Sequence, residues 1–177
     1  MTSFAPRGYA AVTIHPPTIV DQTISPMARA QAAAQARRHA EAAQWFEKAL
    51  EEKPEDAQAR VGLGQSLCQL GRRNEGTAQV RQAGQHFVDA ARQSGDVGQL
   101  LFLVSQLQQW SDFAGALELA RQAVQINSGD FRVHQLLAVT YSQLNNTAEA
   151  LLASRRALEL NPENNMMHIL QASLEAD

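Results

Sequence analysis

The sequence predicts an all-α fold, in which antiparallel pairs of helices stack side by side as an α-solenoid. Residues 116–127 match residues 150–161 at an offset of 34, with alanine, leucine and asparagine at the same places. Helical apolar periodicity also fills the chain from Ser25 onward, where good helix formers such as alanine, leucine and glutamine predominate. A repeat of about 34 residues that contains two helices is typical of a stacked helical array.

Composition and charge limit the class of protein. The chain of 177 residues is long enough for one domain or one short solenoid. Its net charge of −3 and pI of about 5.9 argue against a nucleic-acid partner, because such proteins usually carry a basic patch. The sequence has no apolar run long enough for a transmembrane helix and no secretory signal pattern at its start. We therefore expect a cytoplasmic protein that does not insert into a membrane.

Residues 1–24 are expected to form an extended or disordered N-terminal tail. They lack helical periodicity, and Pro6, Pro16 and Pro17 restrict the backbone and remove amide donors. Two interpretations stay open. The tail is a disordered leader, or residues 10–14 or 18–20 dock into a groove of the same chain or of a neighbouring chain.

The first helix pair is predicted over residues 25–56. Ser25 and Pro26 suit a helix start, because serine accepts from free amides and proline at the first helical position loses no hydrogen bond. We expect a turn near residues 37–39, although no glycine marks it. Pro54 ends the second helix, since proline cannot continue the hydrogen-bond ladder.

The second pair, residues 57–96, is longer than the others. Gly71 ends its first helix, and Ser94 and Gly95 break its second helix. Ala49 and Ala123 are equivalent residues of the first and third pairs, and they are 74 residues apart, six more than two repeats of 34. We expect the extra residues to lengthen the second helix by about one and a half turns and its end to protrude from the stack.

The third and fourth pairs are predicted over residues 97–130 and 131–164. The first helix of the third pair is apolar nearly all round, which indicates burial on both sides. Residues 165–177 are predicted to form a capping helix or the start of a further repeat. Its apolar stripe would stay exposed, pair with a second copy of the chain, or be covered by a continuation of a longer protein. The stripe, and so the predicted self-association surface, consists of Met166, Met167, Ile169, Leu170 and Leu174.

Small, aromatic and proline residues recur at fixed places in the repeats. The fourth repeat has Leu137, Ala138, Tyr141, Ala150, Ala157 and Pro162, and the first has Ala42, Phe46, Ala49 and Pro54. This pattern resembles the tetratricopeptide repeat (TPR) family, and the resemblance implies helix pairs stacked into a right-handed superhelix. The chain departs from the family pattern at His134, where the family prefers tryptophan, and at Ser128, which stands for the closing proline.

The family resemblance also implies a binding surface, because the first helix of each TPR pair lines the concave side. Glutamine amides there can pair with the backbone of an extended peptide, or they are merely solvated helix formers. The family subtype that grips C-terminal carboxylates is rejected, since the matching positions carry no positive charge. The predicted peptide-binding groove consists of Met27, Gln31, Gln35, Val61, Gln65, Cys68, Gln69, Leu101, Phe102, Ser105, Gln108, Gln109, Gln135, Val139, Ser142 and Gln143.

No catalytic, cofactor-binding or metal site is predicted. The five histidines are dispersed, whereas a metal site needs three or four converging ligands. Cys68 is expected to be a buried or groove-lining thiol rather than a nucleophile, although Arg72 one turn later would lower its pKa somewhat.

The expected function is a non-catalytic protein-interaction scaffold, adaptor or chaperone that binds a protein or peptide. Two alternatives stay open. The chain is the N-terminal recruiting domain of a larger enzyme of the sulfotransferase or glycosyltransferase type, or it is a self-assembling scaffold that associates through its C-terminal helix or its N-terminal tail.

Overall fold

The computed structural model describes residues 24–176. The predicted tail, except for Ile24, lies outside the described residues, as does Asp177. Within this range the chain forms nine helices and no strand, which confirms the all-α prediction. The helices are α1 (Pro26–Gln35), α2 (His39–Glu52), α3 (Ala57–Gln69), α4 (Arg73–Ser94), α5 (Gly98–Gln109), α6 (Phe113–Ile126), α7 (Phe131–Gln143), α8 (Thr147–Leu160) and α9 (Asn165–Ala176).

The helices stack in chain order. Each helix contacts the next one along the chain, and first helices of neighbouring pairs also contact each other at α1–α3, α5–α7 and α7–α9. By contrast, no Cα atom of α3 lies within 8 Å of a Cα atom of α5. Contacts restricted to neighbours are the mark of a solenoid, which agrees with the predicted architecture. None of the described helices combines the length and the apolar composition that spanning a membrane requires.

The turn inside each of the four helix pairs has one repeated backbone geometry. A residue with positive φ follows the first helix, and the next amide donates to a carbonyl oxygen five residues back, as in a Schellman motif. Only one of the four residues is a glycine. The first turn has Arg37 at this position, so the sequence contains no glycine signal for it. The four residues are Arg37 (φ 57°), Gly71 (φ 82°), Ser111 (φ 63°) and Asn145 (φ 58°).

Three of the turns between pairs are closed by a side chain of the helix that follows. In each case a nitrogen of that side chain lies within hydrogen-bonding distance of the backbone carbonyl oxygen six residues before it, which holds the turn against the helix. The partners are Arg60 with Pro54, His134 with Ser128 (2.9 Å) and His168 with Pro162 (2.8 Å).

The long helix α4 breaks the regular repeat. It has 22 residues, whereas α2, α6 and α8 have 14 each. The excess is about two turns rather than one and a half, and the helix ends at Gly95, where φ is 75°. Its last turns do not simply protrude, as the sequence led us to expect, because Phe87, Val88 and Ala91 are buried in the core.

Glycines allow α4 to approach its neighbours closely. A Cβ atom on Gly64 of α3 would lie 2.7 Å from the carbonyl oxygen of Gly76 on α4. A Cβ atom on Gly84 would lie 2.7 Å from Cδ2 of Leu119 on α6. Because real Cβ atoms do not come this close to backbone atoms, glycine is needed at Gly64, whereas a Cβ atom on Gly84 would force the Leu119 side chain to shift.

The last helix, α9, covers the end of the stack. Met167 is completely buried, so its assignment to an exposed stripe is wrong: the side chain packs into the core instead. Leu170 and Leu174 are half-buried. Of the predicted self-association surface, Met166 and Ile169 remain well exposed, at 50% and 71%.

Candidate functional site

A cleft opens where the first helices of the first three pairs face one another. It lies between α1, α3 and α5 and has a volume of about 500 Å³, which is within the range of ligand-binding sites. It opens at the one junction of the described chain where the backbones of neighbouring first helices stay more than 8 Å apart, measured between Cα atoms. Its walls are formed by Met27, Gln31, Ala34, Gln35, Phe46, Gln58, Val61, Gly62, Gln65 and Phe102.

The floor of the cleft is apolar. Phe46 and Val61 are buried, and Met27 is half-buried. The ring of Phe46 lies directly over Gly62, where an added Cβ atom would come within 2.5 Å of Cε1. Phe102, on α5, is 46% exposed, so its ring lines the cleft rather than filling the core. Removing this ring should therefore cost less stability than removing a buried one.

Glutamines form the rim of the cleft, and a second cavity of about 330 Å³ adjoins it. The two cavities share Ala34, Phe46 and Gln65. None of the residues that line them is Asp, Glu, Lys or Arg, so the combined surface is an uncharged one that offers amide donors and acceptors. The second cavity is completed by His39, Ser66, Gln69, Gln106, Gln109 and Trp110.

One glutamine position recurs in all four first helices. Gln35, Gln69, Gln109 and Gln143 each stand two residues before the residue with positive φ, and all four are exposed. Their side chains make no hydrogen bonds to other parts of residues 24–176. Hydrogen bonding within residues 24–176 therefore does not account for the same residue at this position. Gln143 lies on α7, away from the two cavities.

Two glutamines that the sequence assigned to the groove are engaged elsewhere. Nε2 of Gln108 donates to the carbonyl oxygen of Leu136 at 2.9 Å and to Oγ1 of Thr140 at 2.7 Å, which ties α5 to α7. Oε1 of Gln135 accepts from Nδ2 of Asn164 at 2.7 Å. These amides hold neighbouring helix pairs together, so they are not free for a ligand.

Four further residues of the predicted groove lie outside the cleft. Leu101 is 7% exposed and belongs to the core, because it points into the stack while its neighbour Phe102 points out. Ser105 is exposed, and its hydroxyl donates to the Leu101 carbonyl oxygen at 3.0 Å. Val139 and Ser142 are half-buried on α7.

Cys68 is buried between α3 and α4. An added Cβ atom on Gly76 would meet its sulfur, so the thiol points toward α4 and not into the cleft. Burial raises the pKa of the thiol to about 11, and the opposing cation is Arg73 rather than Arg72. Cys68 is therefore neither a groove residue nor a reactive thiol. Among residues 24–176, no three side chains of His, Cys, Asp or Glu converge as metal ligands would.

Several lining residues were missed from the sequence, namely Ala34, His39, Phe46, Gln58, Gly62, Ser66, Gln106 and Trp110. A signal existed for two of them. Gln58 shares a helical face with Gln65, seven residues later, and Gln106 lies one turn after Phe102. Phe46 belongs to a second helix, and its ring reaches the cleft over Gly62.

Comparison with known sequences gives one family. The sequence model described as tetratricopeptide repeat matches residues 33–95 and 109–174, which is more than half of the chain. No curated protein matches the sequence.

Solved structures give the same architecture. A structure of MamA (MSR-1 C2) superposes with a TM-score of 0.62 at 21% identity, over 88% of this chain and 86% of that one. A crystal structure of MamA protein gives 0.64 at 14% identity, over 85% and 79%. A tetratricopeptide repeat protein from Parabacteroides merdae gives 0.65 at 16% identity, over 85% and 57%. At these identities the likeness concerns the fold alone.

Proposed function

We propose, because this chain belongs to the tetratricopeptide repeat family, that it is a scaffold that binds a polypeptide in the cleft between α1, α3 and α5. The observation that carries the proposal is the makeup of this cleft, with an apolar floor, a rim of glutamines and no charged lining residue. An adaptor or a chaperone for an uncharged segment would use such a surface.

Each part of the cleft has a role in binding. The amides of Gln31, Gln35 and Gln65 offer donors and acceptors to the backbone of an extended chain. The floor around Val61 and Phe46 accepts apolar side chains. A charged side chain bound here would lose its hydration without gaining a counter-ion, so the cleft favours uncharged sequences.

The lining residues favour binding over catalysis. Ser66 carries the hydroxyl of the second cavity, but this group donates to the carbonyl oxygen of Gly62 at 2.8 Å within its own helix. His39 lines the same cavity with no carboxylate or thiol among the other lining residues. A nucleophile with a base beside it, the usual arrangement for covalent catalysis, is therefore missing from this cleft.

Partner capture with matched variants tests the proposal. Proteins retained by the immobilised full chain are identified by mass spectrometry, and each retained protein is then measured against Gln65→Arg and Gln143→Arg. We expect at least a tenfold loss of affinity for Gln65→Arg and no loss for Gln143→Arg, because only Gln65 lines the cleft. Thermal unfolding of both variants checks that they fold. Full affinity in Gln65→Arg would show that the cleft is not the binding site.

Self-association is a second candidate function. Met166 and Ile169 expose apolar side chains near each other on α9, at 50% and 71%. Exposed apolar patches on otherwise polar surfaces mark association sites.

A further inference from the structure

We propose that residues 8–20 of this chain occupy the cleft between α1, α3 and α5 in cis, so that the N-terminal segment competes with any other polypeptide for that site. The inference rests on the proposed function, because it names one polypeptide that the cleft binds.

Charge is the first argument. The cleft has no charged lining residue, and residues 8–20 contain no Asp, Glu, Lys or Arg between Arg7 and Asp21. The other uncharged runs of at least this length are residues 97–111 and 133–148. Those two runs form α5 and α7, and their apolar side chains already pack in the core. Among the uncharged runs of this length in the chain, residues 8–20 are therefore the one whose side chains are not already packed in the core of the described helices.

The residue types of the segment match the two parts of the cleft. Val12, Ile14, Ile19 and Val20 favour an extended backbone and supply side chains for the apolar floor. Pro16 and Pro17 have carbonyl oxygens but no amide hydrogen, so they can only accept. The glutamine amides of the rim supply the matching N–H donors.

The position of α1 brings the segment to the cleft. Ser25 caps α1 by accepting from the amide of Ala28 at 3.3 Å, and Met27, on the first turn, lines the cleft. Residues 21–24 are therefore the whole link between the segment and the cleft wall. Four residues are enough for a chain reversal. The run of α1 along the cleft is about 12 Å long at 1.5 Å per residue, whereas thirteen extended residues reach about 43 Å.

The short link makes even weak binding effective. A short flexible link gives an effective concentration of about 1 mM. A segment with an intrinsic Kd of about 100 μM would then weaken a competing polypeptide about tenfold. The segment would act as a built-in competitor that a tighter partner displaces.

A labelled peptide with the sequence of residues 8–20 tests the occupancy by fluorescence anisotropy. The full chain is compared with two double variants, Ile14→Asp/Ile19→Asp and the charge-matched control Thr2→Asp/Ser3→Asp. We expect the first variant to bind the peptide about tenfold more tightly than the wild type, because its own segment no longer fits the uncharged cleft. The control should behave as the wild type. Equal affinity in all three proteins, or no binding by the first variant, would overturn the inference.

Disulfide trapping separates cis from trans occupancy. We expect Ile14→Cys/Gln65→Cys to form an intramolecular disulfide with a yield independent of protein concentration, and Ile14→Cys/Gln143→Cys to form little. The buried native Cys68 should not compete. Cross-linked dimers in place of the intramolecular product would overturn occupancy in cis and assign the cleft to a second copy.

The same proteins keep this inference distinct from the proposed function. If Ile14→Asp/Ile19→Asp retains a captured partner through Gln65 but does not bind the peptide, the assignment of residues 8–20 fails and the proposed function stands. If this variant binds no polypeptide in a way that depends on Gln65, both the assignment of residues 8–20 and the proposed function fail.

Discussion

The floor of the cleft depends on a single missing methyl group. Phe46 is 3% exposed, and its ring occupies the space that a side chain at position 62 would fill. From the sequence alone, Gly62 is only a glycine within a predicted helix, where glycine is less favourable than most residues. Its role follows from a contact with the preceding helix pair, which a single-sequence pattern does not reveal.

We expect Gly62→Ala to lower the free energy of unfolding by about 1–3 kcal/mol, because overpacking forces the Phe46 ring out of place. Urea unfolding followed by circular dichroism measures this loss.

Gly129→Ala is the matched control for this substitution. A Cβ atom there would lie 3.6 Å from Oδ1 of Asn127, an ordinary contact, so its effect should stay within about 0.5 kcal/mol. Equal stabilities of the two variants would contradict the account of the floor.

Adjacent residues in the apolar helix α5 show where prediction from sequence stopped. Leu101 and Phe102 were assigned together to the groove, yet they are 7% and 46% exposed. A helix that is apolar nearly all round has no distinct polar face from which the direction of each side chain could be deduced. The neighbours Gln108 and Gln109 differ for the same reason, since one bonds to α7 and the other lines a cavity.

At the scale of elements, the order of the helices and the extra length of α4 were predictable. The apolar period, the closing Pro54 and the break at Gly95 indicated them. The opening of a cleft between α3 and α5 was not predictable, because it depends on how two helices pack that are distant in sequence. The contacts of Gln108 with α7 are equally remote from any local pattern.

Gln108 ties α5 to α7 through its side-chain amide, so its replacement should weaken the packing of these two helices. We expect Gln108→Ala to lower the free energy of unfolding by about 1–2 kcal/mol, since its hydrogen bonds to the half-buried Leu136 and to the fully buried Thr140 disappear. Thermal or urea unfolding measures the loss.

Gln109→Ala is the neighbouring control. Its side chain is exposed and makes no hydrogen bond to the rest of the described chain, so the expected change is within about 0.5 kcal/mol. A change of the same size in both variants would show that helix propensity, and not the tie to α7, is being measured.

The whole molecule divides into two parts along the row of first helices. The N-terminal part holds the open cleft, whereas in the C-terminal part the amides of Gln108 and Gln135 bond within the stack. The 34-residue period predicted the solenoid as a whole, because it depends only on the spacing of the helices. The same period does not distinguish one first helix from another, so it does not predict this division.

Self-association belongs to this scale. If α9 is the contact surface, Met166→Asp/Ile169→Asp should reduce the molar mass in solution from an oligomer to a monomer, because two charges would be buried without partners. Light scattering over a range of concentrations measures the mass.

Leu70→Asp is the control for the α9 variant, since Leu70 is also exposed, at 43%, but lies at the end of α3. An oligomer that persists in the α9 variant, or that is lost equally in the control, would remove α9 as the contact surface.

The four turns within the helix pairs share one backbone motif, and this affects how the gene for such a chain can gain or lose repeats. A unit bounded by Arg37 and Gly71, or by Ser111 and Asn145, begins and ends on the same backbone geometry. Duplication or deletion of the segment between two of these turns would join helices through a turn of the same geometry, so no new loop would be needed. The unit from Gly71 to Ser111 contains the 22-residue α4 and its separate stop at Gly95. Duplication of units on either side would thus lengthen the array while leaving this irregular unit unaltered.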